Sequence, residues 1–387
     1  MKPRGAMVVL ALTATAALLG GCWDYLDLER RGLIMAIGVD SDPENPQGLR
    51  MSVELPAPAT QAEQSTEGQG GRSRKVVMQA SGASVIEAAN RLRGEMDREP
   101  LWTQVLALVV GESVAREGIS RVLDASMRYD PLNLRALLYL TDGEAQPLLE
   151  YVPDGHSLTA MVLSSFASQA PFYPEAIRPR DLMSIHRDLR ELGSAVVPRV
   201  TVVGERLHMS GGGVLHAGAL VGWLDPEQTA GTNWLLGWIQ WAPILFACPG
   251  HPQGQVVVLA RLVGHRVDVT LAQGLPRFHV RISIAGRVVE MARCPLDLAN
   301  PRELKQLADA MTGTVRLQAE KALTRAQKEL QVDYLRLGEQ LRRRYPQVWQ
   351  ALDWDAVFPE TEVDIEVLAA RAGIESPGLV RWAVPYR

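Results

Sequence analysis

The stretch Leu19-Gly20-Gly21-Cys22-Trp23-Asp24 separates two parts of the chain that differ in character. Before it, a short basic segment precedes an almost wholly apolar run from Met7 to Leu19. That run is shorter than the roughly 20 apolar residues that a membrane-spanning helix needs. A positive start, a short apolar run and small residues at its end are the marks of an export signal. We therefore expect residues 1–21 to be a signal peptide and the mature chain to begin at Cys22.

Cys22 indicates which kind of export signal this is. A thiol directly after Leu-x-Gly can take a diacylglyceryl thioether before the signal is cut between Gly21 and Cys22. The sequence predicts this modification, with an N-acyl chain such as palmitate on the new amino terminus. The alternative is an ordinary secretory signal with an incidental cysteine. We favour lipidation because the apolar run ends at this residue and the whole chain holds three cysteines.

The composition describes a folded, mildly acidic protein. The chain has 387 residues with 40 Lys+Arg and 44 Asp+Glu, and removing the leader takes away two positive charges, from −4 to about −6. A nucleic-acid binder would show a strong basic patch, so no nucleic-acid partner is expected. Apolar residues make 47% and charged residues 22% of the chain, which is ordinary globular usage. The length suits two or three domains.

Short apolar runs alternate with helical periodicity in the first half of the chain. The predicted strands there are Leu33–Val39, Leu49–Leu55, Val105–Val110 and Leu134–Leu140. Helices are predicted from Ser84 and from Ser113, since their apolar residues recur with a period near 3.6. This alternation predicts an α/β layer with strands buried on both faces. Residues 56–74 are polar and rich in Gly and Ser, so we expect a mobile loop.

The second half reads as strands followed by a long helix. Pro198 interrupts the strand Val196–Val203, which we therefore place at a sheet edge or end. Four short strands are predicted at Val256–Leu262, Val267–Leu271, Phe278–Ile284 and Val288–Met291. A helix should start at Asn300-Pro301 and run to Arg344, bending near Gly313 or Gly338. Trp349 and Trp354 should then anchor a short last helix to it, before a strand at Val363–Val367.

These elements predict an α+β (mixed α/β) protein of several domains. Its sheets are flanked by helices, and the long C-terminal helix packs on an antiparallel sheet. The expected division is an N-terminal α/β domain at 22–205, a middle domain at 206–262 and a C-terminal α+β domain at 263–387.

The motifs of common active sites and metal sites are missing. The seven histidines form no His-Glu-x-x-His motif, and no Cys-x-x-Cys or phosphate-binding loop occurs, so we expect no metal and no cofactor. Gly111-Glu112-Ser113-Val114-Ala115 imitates a hydrolase nucleophile elbow, but Ala115 replaces the second glycine. A hydroxyl at a helix start is usually a cap, so no catalytic residue is assigned.

Tryptophans and cysteines remain to be interpreted. Trp234, Trp238 and Trp241 could line a ligand pocket, although tryptophans more often fill a core or an interface. Cys248 and Cys294 each precede a proline, and nothing in their spacing forces them together. We therefore expect no required disulfide bridge between them.

Motifs in both halves of the chain resemble those of a known family. Gly21-Cys22-Trp23-Asp24 is followed by Ala36-Ile37-Gly38-Val39-Asp40 and later by a Gly-Glu-x-x-Ala-Arg-x-Gly-Ile turn at 111–119. The last third is the most specific part, with matches at Gln327, Asp333, Arg343, Pro346, Trp349, Trp354-Asp355 and Phe358-Pro359. The chain resembles the Ger(x)C family, the C subunits of GerA-type nutrient germinant receptors of bacterial spores. It departs from the family after Asp333. An aromatic-glycine step often follows that aspartate in the family, whereas this chain has Tyr334-Leu335-Arg336-Leu337-Gly338.

The resemblance implies a lipid-anchored receptor subunit without enzymatic activity. Such a subunit sits with two membrane-protein subunits at the inner membrane of a dormant spore and helps to trigger germination on nutrient. Two other functions remain open. A solute-binding lipoprotein delivering a ligand to a transporter would show two lobes around a deep cleft. An exported hydrolase would show Ser113 close to a histidine and an acid.

Overall fold

The computed structural model describes residues 30–57, 75–129, 132–151, 158–204 and 206–375, with side chains to residue 370. The predicted signal peptide, Gly21 and Cys22 lie outside these ranges, as does most of the predicted loop 56–74. Within these ranges, no helix has the length and apolar character needed to cross a membrane.

The fold is α+β, as predicted. The strands are β1 (Arg31–Leu33), β2 (Ala36–Ser41), β3 (Leu49–Pro56), β4 (Lys75–Gly82), β5 (Glu99–Leu101), β6 (Ala107–Val110), β7 (Leu137–Leu140), β8 (Arg180–Asp181), β9 (Ser194–Val203), β10 (Arg206–His216), β11 (Ala219–Leu224), β12 (Trp241–Cys248), β13 (His251–Ala272), β14 (Leu275–Ala292) and β15 (Glu362–Glu375). The α-helices are α1 (Val85–Glu95), α2 (Glu112–Glu117), α3 (Ser120–Arg128), α4 (Gln146–Glu150), α5 (Thr159–Gln169), α6 (Leu182–Leu192), α7 (Pro226–Leu235), α8 (Pro301–Thr324), α9 (Leu337–Arg344), α10 (Pro346–Ala351) and α11 (Trp354–Val357).

A nine-stranded sheet forms the first half of the fold, in the order β11-β10-β9-β7-β6-β2-β3-β4 with β8 beside β7. Its central strands β2, β6 and β7 are parallel, so all three begin at the same end of the sheet. Separate hydrophobic clusters form on its faces: helices α1, α3 and α6 contribute to one, and α4 and α5 to the others. The predicted α/β layer is therefore present.

The position predicted for the strand containing Pro198 is wrong. β9 lies inside the sheet, between β7 and β10. Pro198 is tolerated there because its missing N–H falls at irregular pairing. The register of β10 shifts between Met209 and Gly212 beside it, and β9 meets β7 only at Leu140↔Arg199.

A four-stranded sheet in the order β12-β13-β14-β15 forms the second half. The four short strands predicted here are two long ones, β13 and β14, which form one hairpin. Irregular pairing between Leu262 and Gly264 accompanies the change in apolar pattern that suggested a break. The sheet is antiparallel except at its edge, where β15 pairs in parallel with β14.

Residues 206–262 divide between the two sheets. β10 and β11 complete the nine-stranded sheet, whereas β12 and most of this part of β13 belong to the four-stranded sheet. The predicted boundary at 262/263 falls inside β13, because the hairpin continues through its irregular pairing without a break.

The predicted long helix is broken just before Gly338. α8 continues into a π-helical segment at Arg325–Leu330 and stops, and α9 starts at Leu337. Gln331 and Arg336 have φ values of 56° and 64°, in the left-handed region that ends a helix. Tyr334 lies in the gap, fully buried, with its hydroxyl donating to the Ala322 carbonyl at 3.0 Å.

Cys248 and Cys294 form a disulfide bridge with a Cα–Cα distance of 5.6 Å, and whether the fold requires it stays a prediction. Cys248 ends β12 and Cys294 follows β14, two strands that flank β13. Gly254 of β13 lies between them, and a Cβ there would be 3.0 Å from the Cys248 Cβ and 2.3 Å from the Arg293 carbonyl oxygen. The absence of a side chain lets the two cysteines meet across the strand, which their spacing does not reveal.

One hydrophobic core joins the two sheets. It contains Ile177, Val196 and Val214 from the first half together with α8 and the inner face of the four-stranded sheet. Trp234 of α7 is fully buried in this core, and its indole N–H donates to Gln318 of α8 at 3.2 Å. The interpretation of this tryptophan as a core residue is therefore confirmed.

Candidate functional site

Asp40, the last residue of the Gly-Val-Asp motif, is buried at the carboxyl end of β2. Its carboxylate accepts from the backbone N–H groups of Ala145 at 2.6 Å and Gln146 at 3.0 Å, at the start of α4. Burial raises the pKa of Asp40, while these two donors oppose the rise. A Cβ at Gly111 would lie 2.3 Å from the Asp40 carboxylate, so the glycine that opens the 111–119 motif makes room for it. The two motifs therefore contact each other in the fold, and the Asp40 carboxylate is hydrogen-bonded to backbone N–H groups of this chain.

Ser113 lies in the first turn of α2, directly after β6, as predicted. Its hydroxyl is 2.5 Å from the hydroxyl of Ser41. Within the described part of the chain no histidine hydrogen-bonds to it, so the arrangement of a hydrolase is not assembled there.

A buried ion pair lies at the opposite end of the same strands. The Lys75 ammonium donates to Glu54 at 2.9 Å, to Thr159 at 2.7 Å and to the carbonyls of Leu149 and Tyr151. Glu54 also accepts from the backbone N–H groups of Thr159 and Ala160 at the start of α5. Burial lowers the pKa of Lys75, and Glu54 opposes the change. The pair fastens β4, α4 and α5 to β3.

Asp333 is the centre of the family motif in the last third of the chain. Its buried carboxylate accepts from the N–H groups of Leu337 at 3.1 Å and Gly338 at 2.6 Å, and from the Trp354 indole at 3.0 Å. Burial raises the pKa of Asp333, and the donors oppose the rise. The carboxylate therefore starts α9 and holds α11 to it.

Other matched residues support the same segment. The side-chain amide of Gln327 donates to the carbonyls of Phe358 at 3.0 Å and Thr361 at 2.7 Å. Trp349 is half-buried and packs on Trp354, with ring centroids 6.1 Å apart. Both tryptophans cover Gly338 of α9, the part of the predicted long helix that follows the break. These side chains fix how the polypeptide turns at 331–361.

A polar junction connects this segment to the nine-stranded sheet. Asp188 of α6 is buried between Arg180 and Arg336, and its carboxylate is 2.7 Å from the Arg336 guanidinium. The Ser194 hydroxyl donates to the Asp333 carbonyl at 2.6 Å, and Arg342 pairs with Glu191 at 2.7 Å. Sequence reasoning missed Asp188 and Arg336, because no short motif relates charges so far apart along the chain.

A second contact between the halves forms a surface cleft around Trp223. The Arg199 guanidinium lies 5.7 Å from the centre of the Trp223 ring, and Arg325 donates to the Trp223 carbonyl at 3.0 Å. Asp225 lines the same cleft while its side chain caps α7. Since Arg199, Arg325 and Asp225 all line the cleft, it carries charges of both signs.

No group of three or more potential metal-ligating side chains occurs among the described residues. Trp238 lies under Arg180 and Trp241 under Arg261, at 5.7 Å and 5.5 Å from the ring centres. The tryptophan-rich stretch thus makes contacts within the fold at all three positions, with Trp234 in the core.

Comparisons with known proteins cover nearly all of the chain. The family described as "Spore germination protein N-terminal domain" matches residues 24–202, and "Spore germination B3/GerAC like, C-terminal" matches residues 210–370. Bacillus subtilis (strain 168) spore germination protein KC is 21% identical, covering 96% of this chain and 97% of the relative. Spore germination protein B3 of the same organism is 20% identical, covering 90% and 92%.

A solved structure has the same fold. The crystal structure of the GerBC protein matches with a TM-score of 0.56 at 16% identity, over 88% of this chain and 96% of that protein. The boundary between the two family regions, from 202 to 210, covers the end of β9, its connection to β10 and the start of β10. The chain therefore belongs to the spore germination family described as B3/GerAC-like.

Proposed function

We propose that this protein is a lipid-anchored, non-enzymatic subunit of a spore nutrient germinant receptor, needed to trigger germination. The observation that carries the proposal is the placement of Cys22. The predicted lipidation site lies two residues before the first family region, which begins at residue 24, and both family regions follow in order. A lipid at Cys22 would hold the whole folded body at a membrane.

The proposed partners are the membrane and the two membrane-protein subunits of the receptor. The proposed location is the outer face of the inner spore membrane. Supporting this, the two spore germination relatives align with this chain over 97% and 92% of their own length. The nutrient is recognised by the assembled receptor in this proposal.

The way the motif residues are used supports a role without catalysis. Asp40, Gln327 and Asp333 each hydrogen-bond to backbone groups of this chain. A catalytic carboxylate has to reach a substrate, whereas the carboxylates of Asp40 and Asp333 are enclosed by their own donors. Replacing Ser113 with Ala should accordingly leave nutrient-triggered germination unchanged, and a lost response with normal protein levels would favour the hydrolase alternative.

The anchor is tested by expressing the Cys22→Ala variant without the partner subunits and separating membranes from soluble protein. The thioether forms on sulfur, so the variant should leave the membrane fraction while the unchanged protein stays there. A chain starting at Trp23 is the matched control, because it lacks both the signal and the lipid. Sedimentation of both proteins with membranes would contradict the lipid anchor.

The receptor role is tested separately in spores. The unchanged protein should co-purify with the two membrane subunits, and spores carrying Cys22→Ala should germinate poorly on nutrient but normally with a stimulus that bypasses receptors. Normal nutrient germination without this protein would contradict the receptor role while leaving the anchor intact.

A further inference from the structure

We infer that the end of the nine-stranded sheet where β2, β6 and β7 begin lies against the phospholipid headgroups, so that the opposite end points away from the bilayer. This inference rests on the proposed lipid at Cys22. We call the first end the anchor-side surface; its exposed or half-buried residues include Arg31, Thr103, Arg135, Met161 and Met183.

The length of chain between the lipid and the fold limits where the body can sit. Cys22 is nine residues before Arg31, the first residue of β1, and a fully extended chain covers at most about 3.5 Å per residue. β1 therefore lies within about 30 Å of the lipidated residue. β1 is fixed in place by its parallel pairing with β5, at Arg31↔Glu99 and Leu33↔Leu101.

The topology places β1 at one particular end of the sheet. The Ile34 N–H donates to the backbone carbonyl of Leu101 and the Met35 N–H to the backbone carbonyl of Glu54, and the chain then enters β2 at Ala36. Since β6 and β7 run parallel to β2, the segments that lead into them lie at this same end. Thr103 precedes β6 and Arg135 precedes β7, which puts both side chains on the anchor-side surface.

The other members of this surface are located by backbone contacts. Met161 is in the first turn of α5. The first N–H groups of this helix donate to the Glu54 carboxylate, and Glu54 of β3 pairs with Ala36, the first residue of β2. Met183 is in the first turn of α6, and its N–H donates to the Leu134 carbonyl just before β7. The side chains of Met161 and Met183 are 46% and 48% exposed, which suits contact with the headgroup and acyl boundary.

The opposite end has a different chemistry. The loop between β2 and β3 carries Asp42 and Glu44, and the segment after β7 carries Asp142 and Glu144, which pair with Arg199 and Arg50. β2 has six residues at about 3.3 Å each, so this acidic end lies about 20 Å farther from the tether. An anionic bilayer would repel the carboxylates of Asp42 and Glu44, which favours the same orientation.

The experiment uses a fluorescent label on a single new cysteine in the full lipidated chain. Cys248 and Cys294 are joined in a disulfide and the Cys22 sulfur carries the lipid in this proposal, so an introduced thiol is the labelling site. Thr103→Cys and Arg135→Cys report on the anchor-side surface, and Glu44→Cys is the matched control at the acidic end. Each labelled protein is placed in phosphatidylglycerol–phosphatidylcholine vesicles that contain a nitroxide lipid, a short-range quencher.

The labels at 103 and 135 should lose most of their emission, and the label at 44 should keep most of its emission. Quenching at 44 but not at 103 and 135, or at none of the three, overturns the orientation. Sedimentation of the same vesicles measures the anchor separately: protein that does not pellet with them contradicts lipidation itself. A pelleted protein with the wrong quenching pattern contradicts only the orientation.

Discussion

At the scale of single residues, Asp333 shows how a buried charge is used in this fold. Its carboxylate lies in the gap between two helices and receives two backbone N–H groups and one indole N–H. Removing such an acceptor leaves buried donors without partners, which costs about 1–3 kcal/mol. The residue is therefore needed to break one long helix into two that pack.

The protonation of Asp333 predicts a pH dependence of stability. Burial raises its pKa in the folded state, so the folded protein holds this proton more tightly than the unfolded chain does. At pH values between the ordinary and the raised pKa, the unfolded state binds fewer protons than the folded state. The contribution of Asp333 to the free energy of unfolding therefore falls as pH rises. The stability advantage of the unchanged protein over Asp333→Asn should shrink from about pH 4 towards neutrality.

Urea unfolding of both proteins at a series of pH values measures this difference. Other carboxylates titrate in both proteins and cancel in the comparison. If the stability advantage over Asp333→Asn grew with pH instead, the effect of the three donors on the Asp333 pKa would exceed that of burial, and the carboxylate would stay charged in the folded protein.

Trp354 and Trp349 should differ in what their removal costs. Trp354 is 6% exposed and packs against Phe278 and Phe358, so Trp354→Ala should destabilise the protein by about 3–5 kcal/mol. Trp349 is half-buried, and Trp349→Ala should cost less. Thermal unfolding of the two variants provides the comparison, and an equal or larger loss at Trp349 would contradict this assignment.

Some of these roles could be predicted because they depend on neighbouring residues in the sequence. The others depend on contacts between distant residues and could not be predicted. Asn300 starts α8 as predicted, because its side chain accepts from the Arg302 N–H only two residues away. The sequence predicted a bend near Gly313 or Gly338, whereas the break lies at 331–336, because the sequence does not show that the Asp333 carboxylate accepts from the following N–H groups. Asp188 and Arg336 meet across 148 residues, and no spacing rule relates them. Cys22 and Gly21 remain predictions from the sequence.

At the scale of elements, the hairpin β13–β14 is the frame of the second half. Its strands pair along almost their whole length and carry β12 on one side and β15 on the other. Periodicity identified the apolar segments correctly but divided them, because irregular pairing shifts the alternation without ending the strand. The helix on top, α8, buries Leu307, Met311 and Val315 against the sheet.

The disulfide between β12 and the end of β14 should stabilise this half measurably. It closes a loop with a sequence separation of 46, and a bridge of this kind contributes about 2–4 kcal/mol by restricting the unfolded chain. Replacing both Cys248 and Cys294 with Ala should lower the midpoint of urea unfolding accordingly. Thiol labelling before and after denaturation checks that the bridge is present in the purified protein. A double variant with unchanged stability would show that the bridge is dispensable.

At the scale of the whole molecule, the two sheets share one core and a polar junction. Ile177 and Val196 pack in the same cluster as Phe278 and Met311. Neither half buries its apolar surface completely without the other. We therefore expect one cooperative unfolding transition for the described body.

Far-ultraviolet circular dichroism and tryptophan fluorescence should give the same midpoint in urea. Arg336→Ala, which leaves Asp188 with Arg180 as its nearest remaining cation, should lower that midpoint without separating the two signals. Two resolved transitions, in the unchanged protein or in the variant, would show that the halves unfold independently.

The order of strands along the chain also affects how the protein matures while it is being synthesised. β12, β13, β14 and both bridged cysteines emerge within residues 241–294, before α8 has been made. Disulfides form in oxidising compartments, so an exported chain closes this bridge once residues 241–294 have crossed the membrane, while the apolar face of the half-built sheet is still uncovered. β15, which completes the sheet at its parallel edge, emerges about 70 residues after β14, so that edge stays open until synthesis is nearly finished. A ribosome that stalls in this interval releases a chain with an unprotected strand, which is a substrate for chaperones and proteases.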